Sequence, residues 1–498
     1  MRPKFRFPTP YTVLMLAIVI TAIATWLLPA GVYDKMSYNQ DSKMFEIETV
    51  DGKVSIPATV QELKDRGISI PLSKFEEGKI NKPISIPGTY QQVTSKPQGI
   101  MSVIFAPIQG MYDTIDIILF VLIIGGFIGV FNSSGAFDQG IAYLSKRLKG
   151  KEGILIILVT FAVSIGGTTF GMQEETVAFY PLIVPIFMAA GYDLLVPVAV
   201  LFVGTTVGIM GGVINPFATV IASDAAGISW TIGIYSRVAM LVIGTSLGIA
   251  YILRYANKVK KDPTQSLLYG KRIKSPFSAV KSDEIDAKLT TKTQLLILLF
   301  AATFVVMIYG VSSLDWWFKE MTALFLVSAV IIALLQRTGE RNFVATFFTG
   351  AKDLLGVSFI IGIARGITNL MNEGRISDTI LFYATDLVEG TSGIVFLPAL
   401  MIVFFVLTLF ISSSSGLAVV SMPIMSALAP VVGVPTEEII NAYLFGFGLM
   451  TFITPAGLIL PSLAMVNVDY STWIKFIWPL MVILALLATA ILWVGLYF

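Results

Sequence analysis

Two adjacent glutamates, Glu174 and Glu175, lie in Gly171-Met172-Gln173-Glu174-Glu175-Thr176, inside an otherwise apolar stretch. A carboxylate carried into such surroundings is costly to bury and marks a functional position by default. Ionised, it attracts an ammonium or guanidinium group; protonated, it can carry a coupling proton. The competing reading is that one or both cap the helix that follows, since acidic side chains favour helix N-termini. Hydroxyls cluster nearby at Thr168 and Thr169, and again at Ser412, Ser413, Ser414 and Ser415. A hydroxyl donates or accepts, so these clusters suit a carboxylate or a cation. The chain has no cysteine and no histidine. That excludes thiol nucleophiles, Cys/His metal sites, disulfides and histidine proton relays, and no cofactor is implied. Without a nucleophile–base pair, an intramembrane enzyme is disfavoured.

The elements that must hold these residues are membrane helices. Of 498 residues, 55% are hydrophobic and only 13% charged, with a mean hydropathy of +0.81. Several apolar runs are long enough to cross a hydrocarbon layer of ~30 Å. The expected fold is an all-α polytopic membrane protein. Residues 1–30 read as a basic leader, Arg2, Lys4 and Arg6, followed by an uncleaved helix, because Leu28-Pro29-Ala30-Gly31 is a poor cleavage site. Residues 31–99 carry nine acidic and nine basic residues, so they have no positive bias and read as an extracytoplasmic insertion with short strands at Val54–Ile56 and Ile84–Gly88. Residues 100–255 form a first repeat and 256–292 a basic cytoplasmic loop. Residues 293–336 supply two linking helices and 337–498 a second repeat. The basic run Lys146-Arg147-Leu148-Lys149-Gly150-Lys151 and the loop's Lys258, Lys260, Lys261, Lys271, Arg272, Lys274, Lys281 and Lys288 fix the cytoplasmic side. They read as topology determinants rather than lipid or nucleic-acid sites. This places the N-terminus in the cytoplasm and the C-terminus outside a bacterial inner membrane.

Landmarks recur at a nearly fixed separation. Pro181 and Gly191 match Pro423 and Gly433, 242 positions on (423 − 181, 433 − 191). Asn215-Pro216 matches Thr454-Pro455, and Gly135 matches Gly374, both 239 on. The charge pattern starts the first repeat near residue 114, outside, and the second near Asp353, inside, so the repeats are inverted. Each contains two interruptions. The first spans Ser164 to Thr176, a re-entrant hairpin, and Gly208 to Pro216, a broken helix. The second spans Ile411 to Gly416, a hairpin from the opposite side, and Met450 to Gly457. Unwound backbone at membrane depth is tolerated only where it is buried in protein or lines a cavity. Its freed N–H groups suit a carboxylate and its freed carbonyls a cation. The candidate substrate-binding residues are therefore Gly167, Thr168, Thr169, Gly171, Gln173, Glu174, Glu175, Asn215, Pro216, Thr219, Ser412, Ser413, Ser414, Ser415, Gly416, Thr454, Pro455 and Ala456. A channel would need a continuous polar pore; paired hairpins point to alternating access. Arg365 is read as pairing with an acidic residue in the bundle, with a substrate carboxylate as the alternative. Arg237 is read as lying at an aqueous boundary. Asn215, Asn369, Asn372 and Asn441 are polar positions of second rank among apolar helices, and Trp316, Trp317, Trp473 and Trp478 are read as interface anchors.

Gly171-Met172-Gln173-Glu174-Glu175-Thr176 with Phe179-Tyr180-Pro181, Asn215-Pro216-Phe217-Ala218-Thr219 with Ile221-Ala222-Ser223, Ser413-Ser414-Ser415-Gly416-Leu417-Ala418 with Met422-Pro423-Ile424, and Ile453-Thr454-Pro455 resemble the YfcC-like family of membrane carriers. That family looks like a branch of the ion transporter superfamily, related to C4-dicarboxylate carriers of the DcuC type and to aminobenzoyl-glutamate transporters. The resemblance implies an elevator mechanism, with a transport domain holding both hairpins and sliding against a scaffold domain that dimerises. It also implies that the hairpin tips and helix breaks bind a small-molecule substrate, with a proton or sodium ion as the coupling ion. Some members look like arginine/ornithine antiporters of the arginine deiminase pathway, others like C4-dicarboxylate carriers. The glutamate pair, and the absence of Lys or Arg from the four breaks, suit a cationic amino acid.

Overall fold

The computed structural model describes residues 9–68, 70–77, 80, 83–136, 139–140, 143, 151–271, 273, 289–314, 316–386 and 393–497. Of the basic residues read as topology determinants, Lys146, Arg147, Lys149, Arg272, Lys274, Lys281 and Lys288 lie outside the described residues.

Among the described residues, eight helices are long and apolar enough to cross a membrane: Pro10–Leu27, Ile115–Asn132, Ile234–Lys261, Thr291–Gly310, Phe318–Gln336, Leu355–Glu373, Gly393–Phe410 and Tyr470–Gly495. About 20 residues at 1.5 Å each match the hydrocarbon thickness. Other apolar helices stop short because each ends at a break: Leu195–Met210 and Thr436–Thr451 halt before Gly-, Pro- and Thr-containing segments, and Tyr180–Ala189 and Ser414–Met425 form second arms of hairpins.

The order of elements recurs. Ile100–Asp113 is followed by Ile115–Asn132, and Glu340–Asp353 by Leu355–Glu373, with starts 240 residues apart (340 − 100, 355 − 115). The hairpin arms Gly153–Phe170 and Gly393–Phe410 are also 240 apart (393 − 153). Ile100–Asp113 and Glu340–Asp353, at 14 residues each, are too short to show in the sequence as membrane-length helices. Each packs against the long helix of the other half. A Cβ at Gly366 would stand 2.5 Å from the Ala106 carbonyl oxygen, and one at Gly110 2.6 Å from the Gly366 nitrogen. In the reciprocal crossing, a Cβ at Gly125 would stand 2.6 Å from the Gly350 oxygen and one at Gly129 2.8 Å from the Thr346 oxygen. Lipid offers helices no hydrophobic reason to associate, so contact of this closeness rests on small residues that let backbones touch.

The 31–99 insertion contains an antiparallel sheet in the order Gly52–Pro57, Met44–Thr49, Lys35–Asn39, Ile84–Ser85, which includes both strands expected from the sequence. Its core is Met36, Phe45, Phe75, Leu63 and Ile84. It rests on Ser377–Asp386, where Tyr33 donates its backbone N–H to Asp378 at 3.2 Å and Tyr90 stacks on Phe382 at 4.0 Å. It also reaches the helix after the first break, where Lys74 pairs with the buried Asp224 at 3.0 Å.

Helix ends sort onto two faces. The insertion, Asp224, Asp378 and the end of the last helix share one: Trp493 donates to the Ile394 carbonyl at 2.9 Å, beside the start of the second hairpin. Lys260 with Glu152 at 3.1 Å, Lys271 with Asp469 at 3.0 Å, and Tyr11 donating to the Gly356 carbonyl at 2.9 Å share the other.

Three expectations change. Ser164 to Phe170 remain helical rather than unwound, and so do Gly208 to Met210, because these glycines serve close helix packing. Trp473 is buried, donating its indole N–H to the Phe452 carbonyl at 2.8 Å, so it is no interface anchor; Trp317 and Trp478 stay exposed. Arg237 is buried rather than at an aqueous boundary, and donates to the carbonyls of Trp230 and Ile232.

Gly110→Val is expected to lower thermal stability in detergent, at a cost of about 3 kcal/mol, because the new side chain meets backbone that has nowhere to go. Gly339→Ala, which opens onto free space at a helix N-cap, should cost less than about 1 kcal/mol, the preference for glycine over alanine there.

Candidate functional site

The first hairpin is built on glycine contacts. A Cβ at Gly204 would lie 2.8 Å from the Thr160 oxygen and one at Gly167 2.6 Å from the Thr205 oxygen, so Gly153–Phe170 and Leu195–Met210 lie backbone against backbone. The first arm ends at Gly171, whose φ of 71° is a left-handed helix stop. Gly171 is required twice over, because a Cβ there would also stand 2.7 Å from Asn215 Oδ1. The chain then turns through Gln173 into a 3-10 segment, Glu174–Phe179, and Pro181 starts the second arm.

The first broken helix opens between Met210 and Pro216. Its freed backbone groups find partners on the hairpin. Thr168 Oγ1 donates to the Gly211 carbonyl at 2.5 Å and accepts from the Val213 N–H at 2.9 Å. The Ile214 N–H donates to the Thr168 carbonyl at 3.2 Å. Asn215 Oδ1 accepts from the N–H groups of Phe217 and Ala218, each at 3.0 Å, while Nδ2 donates to the Gly167 carbonyl at 3.2 Å. Thr219 Oγ1 donates to the Gly212 carbonyl at 2.7 Å. Thr168, Asn215 and Thr219 are thus buried and committed to the break. Thr169 bonds the Ile165 carbonyl at 2.7 Å. At this end Thr169, Gly171, Gln173, Glu174, Val213, Pro216 and Phe217 stay half-exposed, and Ile214 is exposed.

The two glutamates divide. Glu175 is buried and accepts the Gln173 N–H on Oε2 at 3.0 Å, holding the turn. Glu174 is half-buried and, among the described residues, neither carboxylate forms an ion pair. The turn that carries Glu174 packs on Ile115–Asn132.

The second hairpin breaks at Ile411–Ser413. Ser413 caps Ser414–Met425 by accepting the Gly416 N–H at 3.2 Å, and lies 3.5 Å from the Ser415 hydroxyl. Tyr443 holds the tip by donating to the Ser414 carbonyl at 2.8 Å. The second break, between Thr451 and Ile459, is held by Trp473 on Phe452, by Tyr470 on the Ile453 carbonyl, and by Thr454 Oγ1 donating to the Leu409 carbonyl at 3.5 Å. Thr454 and Ala456 are buried; Ile411 to Gly416 and Pro455 are half-exposed.

The two halves meet where Pro216–Val220 and Ile221–Ala225 pack on Ser414–Met425, and Leu195–Met210 on Thr436–Thr451. Each hairpin therefore sits on its own broken helix, and the broken helices sit on each other.

Sequence reasoning missed the acidic pair Asp113 and Asp116, where Ile100–Asp113 passes into Ile115–Asn132. Asp113 accepts from Gln109 Nε2 at 2.8 Å and Asn369 Nδ2 at 2.6 Å; Asp116 is exposed. The available signal was Asp-x-x-Asp inside apolar sequence. Asn441 instead belongs to a buried cluster, donating to Glu438 Oε1 at 3.0 Å alongside Ser236 at 3.1 Å. Asn372 accepts from the Ser377 hydroxyl at 2.7 Å. The acidic partner expected for Arg365 is absent among the described residues: its Nε is buried without a hydrogen bond, and no carboxylate lies within salt-bridge distance.

Eight helices among the described residues long and apolar enough to cross a membrane, with shorter apolar helices that end at breaks, define a polytopic membrane protein. The family whose sequence model is described as DcuC, C4-dicarboxylate anaerobic carrier, matches residues 7–497, and the chain belongs to it. The resemblance to YfcC-like carriers is borne out. An uncharacterized protein of Haemophilus influenzae is 40% identical over 495 residues, covering 99% of this chain and 97% of its own. The putative basic amino acid antiporter YfcC of Escherichia coli is 26% identical over 491 residues, covering 95% and 93%. Among solved structures, the YdaH transporter of Alcanivorax borkumensis covers 98% of both chains at 15% identity with a TM-score of 0.40.

Asn215→Ala removes a cap and a hairpin tie together. It is expected to lower thermal stability by about 1–2 kcal/mol, the size of a lost N-cap, and Asn215→Ser, which keeps the cap oxygen, should recover part of that loss in the same melting assay.

Proposed function

We propose that the chain exchanges cationic amino acids, arginine for ornithine, across a bacterial inner membrane. The observation that carries this reading is Glu174: a half-buried carboxylate at a hairpin tip with no cationic partner among the described residues. A charge kept at membrane depth needs a counter-charge, and a guanidinium or ammonium on the cargo supplies one. Glu175 keeps the turn in shape. The N-terminal amides of Ser414–Met425 and the hydroxyls of Ser412 to Ser415 face the opposite end of the cargo. The name of the Escherichia coli relative, a putative basic amino acid antiporter, agrees. The description of the family favours a second reading, proton- or sodium-coupled uptake of a C4-dicarboxylate.

In this reading the recurring elements are inverted repeats. The hairpins and broken helices form a transport domain that moves against the glycine-braced helices, and the braced part dimerises. The face shared by the insertion and the last helix is extracytoplasmic, so a reporter fused at the C-terminus should be accessible from outside the cell. A protected, cytoplasmic reporter would remove the inversion.

Purified protein in liposomes loaded with ornithine should take up labelled arginine, and uptake should stop when internal ornithine is omitted. Glu174→Gln is expected to raise the KM for arginine about 10- to 100-fold, the range for losing one charge-assisted bond. Glu175→Gln keeps an amide oxygen for the Gln173 N–H and should lose less. Succinate uptake without arginine exchange would establish the second reading instead.

A further inference from the structure

We propose that Arg365 binds the carboxylate of the transported molecule and sets the preference for amino acids over the corresponding amines. This rests on the reading of the hairpin tips as the substrate site. Arg365 stands ten residues into Leu355–Glu373 and eight from its end, about 15 Å along the axis from its start at 1.5 Å per residue. That is the middle of a spanning helix. A guanidinium there needs an anion or a set of carbonyls. Arg237, which is buried, has carbonyls for its Nη2, which donates to Trp230 and Ile232, while its Nε and Nη1 find no partner; Arg365 itself is half-exposed. Arg365 has neither, with no ion pair among the described residues and a buried Nε that has no partner.

Its position says what the missing anion is. Thr368, one turn along the same face, donates to the carbonyl of Phe410 at 3.2 Å, the last residue before the second hairpin tip. Ala364, its neighbour, packs in one apolar cluster with Ala456 of the second break and Leu460 of the helix that follows it. Arg365 thus springs from the turn of helix that touches both the serine tip and the second interruption. Gly362 and Gly366, on either side of it, press against Ile100–Asp113, which fixes the backbone while leaving a long side chain to reach. A guanidinium forms two parallel N–H···O bonds to a carboxylate, a geometry that an ammonium cannot copy. Glu174 on one hairpin would hold the cationic end and Arg365, beside the other, the carboxylate end.

The test compares arginine with agmatine, the same molecule without its carboxylate, as competitors of labelled arginine uptake in proteoliposomes. In the wild-type protein arginine should compete at least tenfold better. In Arg365→Gln that advantage should fall to about twofold or less, with the KM for arginine raised at least tenfold. Arg365→Lys, which keeps the charge and loses the fork, should lie between them; it also serves if Arg365→Gln fails to elute as a folded species. An unchanged preference for arginine over agmatine in either folded variant overturns the assignment. If the wild-type protein moves succinate and not arginine, the amino-acid reading falls, and Arg365 is judged on succinate: a loss of at least tenfold in Arg365→Gln sustains the carboxylate contact, and unaltered uptake overturns it.

Discussion

The architecture depends on one constraint: no backbone N–H or carbonyl at membrane depth can rely on water. A continuous helix meets that demand by itself, whereas a broken one must borrow partners. Here the loan runs from hairpin to break. Thr168 and Asn215 satisfy the first interruption, and Tyr443, Tyr470 and Trp473 hold the second hairpin tip and the second break. This explains why the polar side chains nearest the breaks are the least exposed. They are structural ties, and their work leaves the adjacent half-exposed positions, Gln173, Glu174 and the serine tip, in place.

Electrostatics then sorts those positions. Charges within the described bundle are mostly settled by neighbours: Asp113 by two amides, Glu438 by Ser236 and Asn441, Asp224 by Lys74. Glu174 and Arg365 stand apart from that pattern, one on each side of the pseudo-repeat. An unsettled charge is expensive in a low-dielectric setting, and under the proposed exchange of amino acids a cargo carrying both signs would settle these two.

Much of this was legible in the sequence, for physical reasons. Long apolar runs have a fixed length requirement, so the first helix and the two linking helices were placed within a few residues. The second hairpin and second break were also placed well, because four serines and a Thr-Pro pair have no other use in such a run. The first interruption was drawn too wide. Gly167 and Gly208 read as breakers, yet in a bilayer glycine more often marks where two helices touch, and that meaning depends on a partner about 40 residues away. The helices Ile100–Asp113 and Glu340–Asp353, which brace the two halves, were invisible because 14 residues fall short of a membrane-length apolar run. The partnerless state of Arg365 could not be read at all, since pairing is a property of three-dimensional neighbours.

The reciprocal glycine crossings tie the two halves of the chain together in inheritance as well as in space. Gly110 belongs to one half, and the backbone it touches at Gly366 belongs to the other; Gly350 and Gly125 repeat the arrangement in reverse. A bulkier residue on one side is judged by the main chain of the other, which no substitution can shorten. The halves are therefore free to drift in their loops, their caps and even their hairpin tips, while these four positions are held to a single answer by each other.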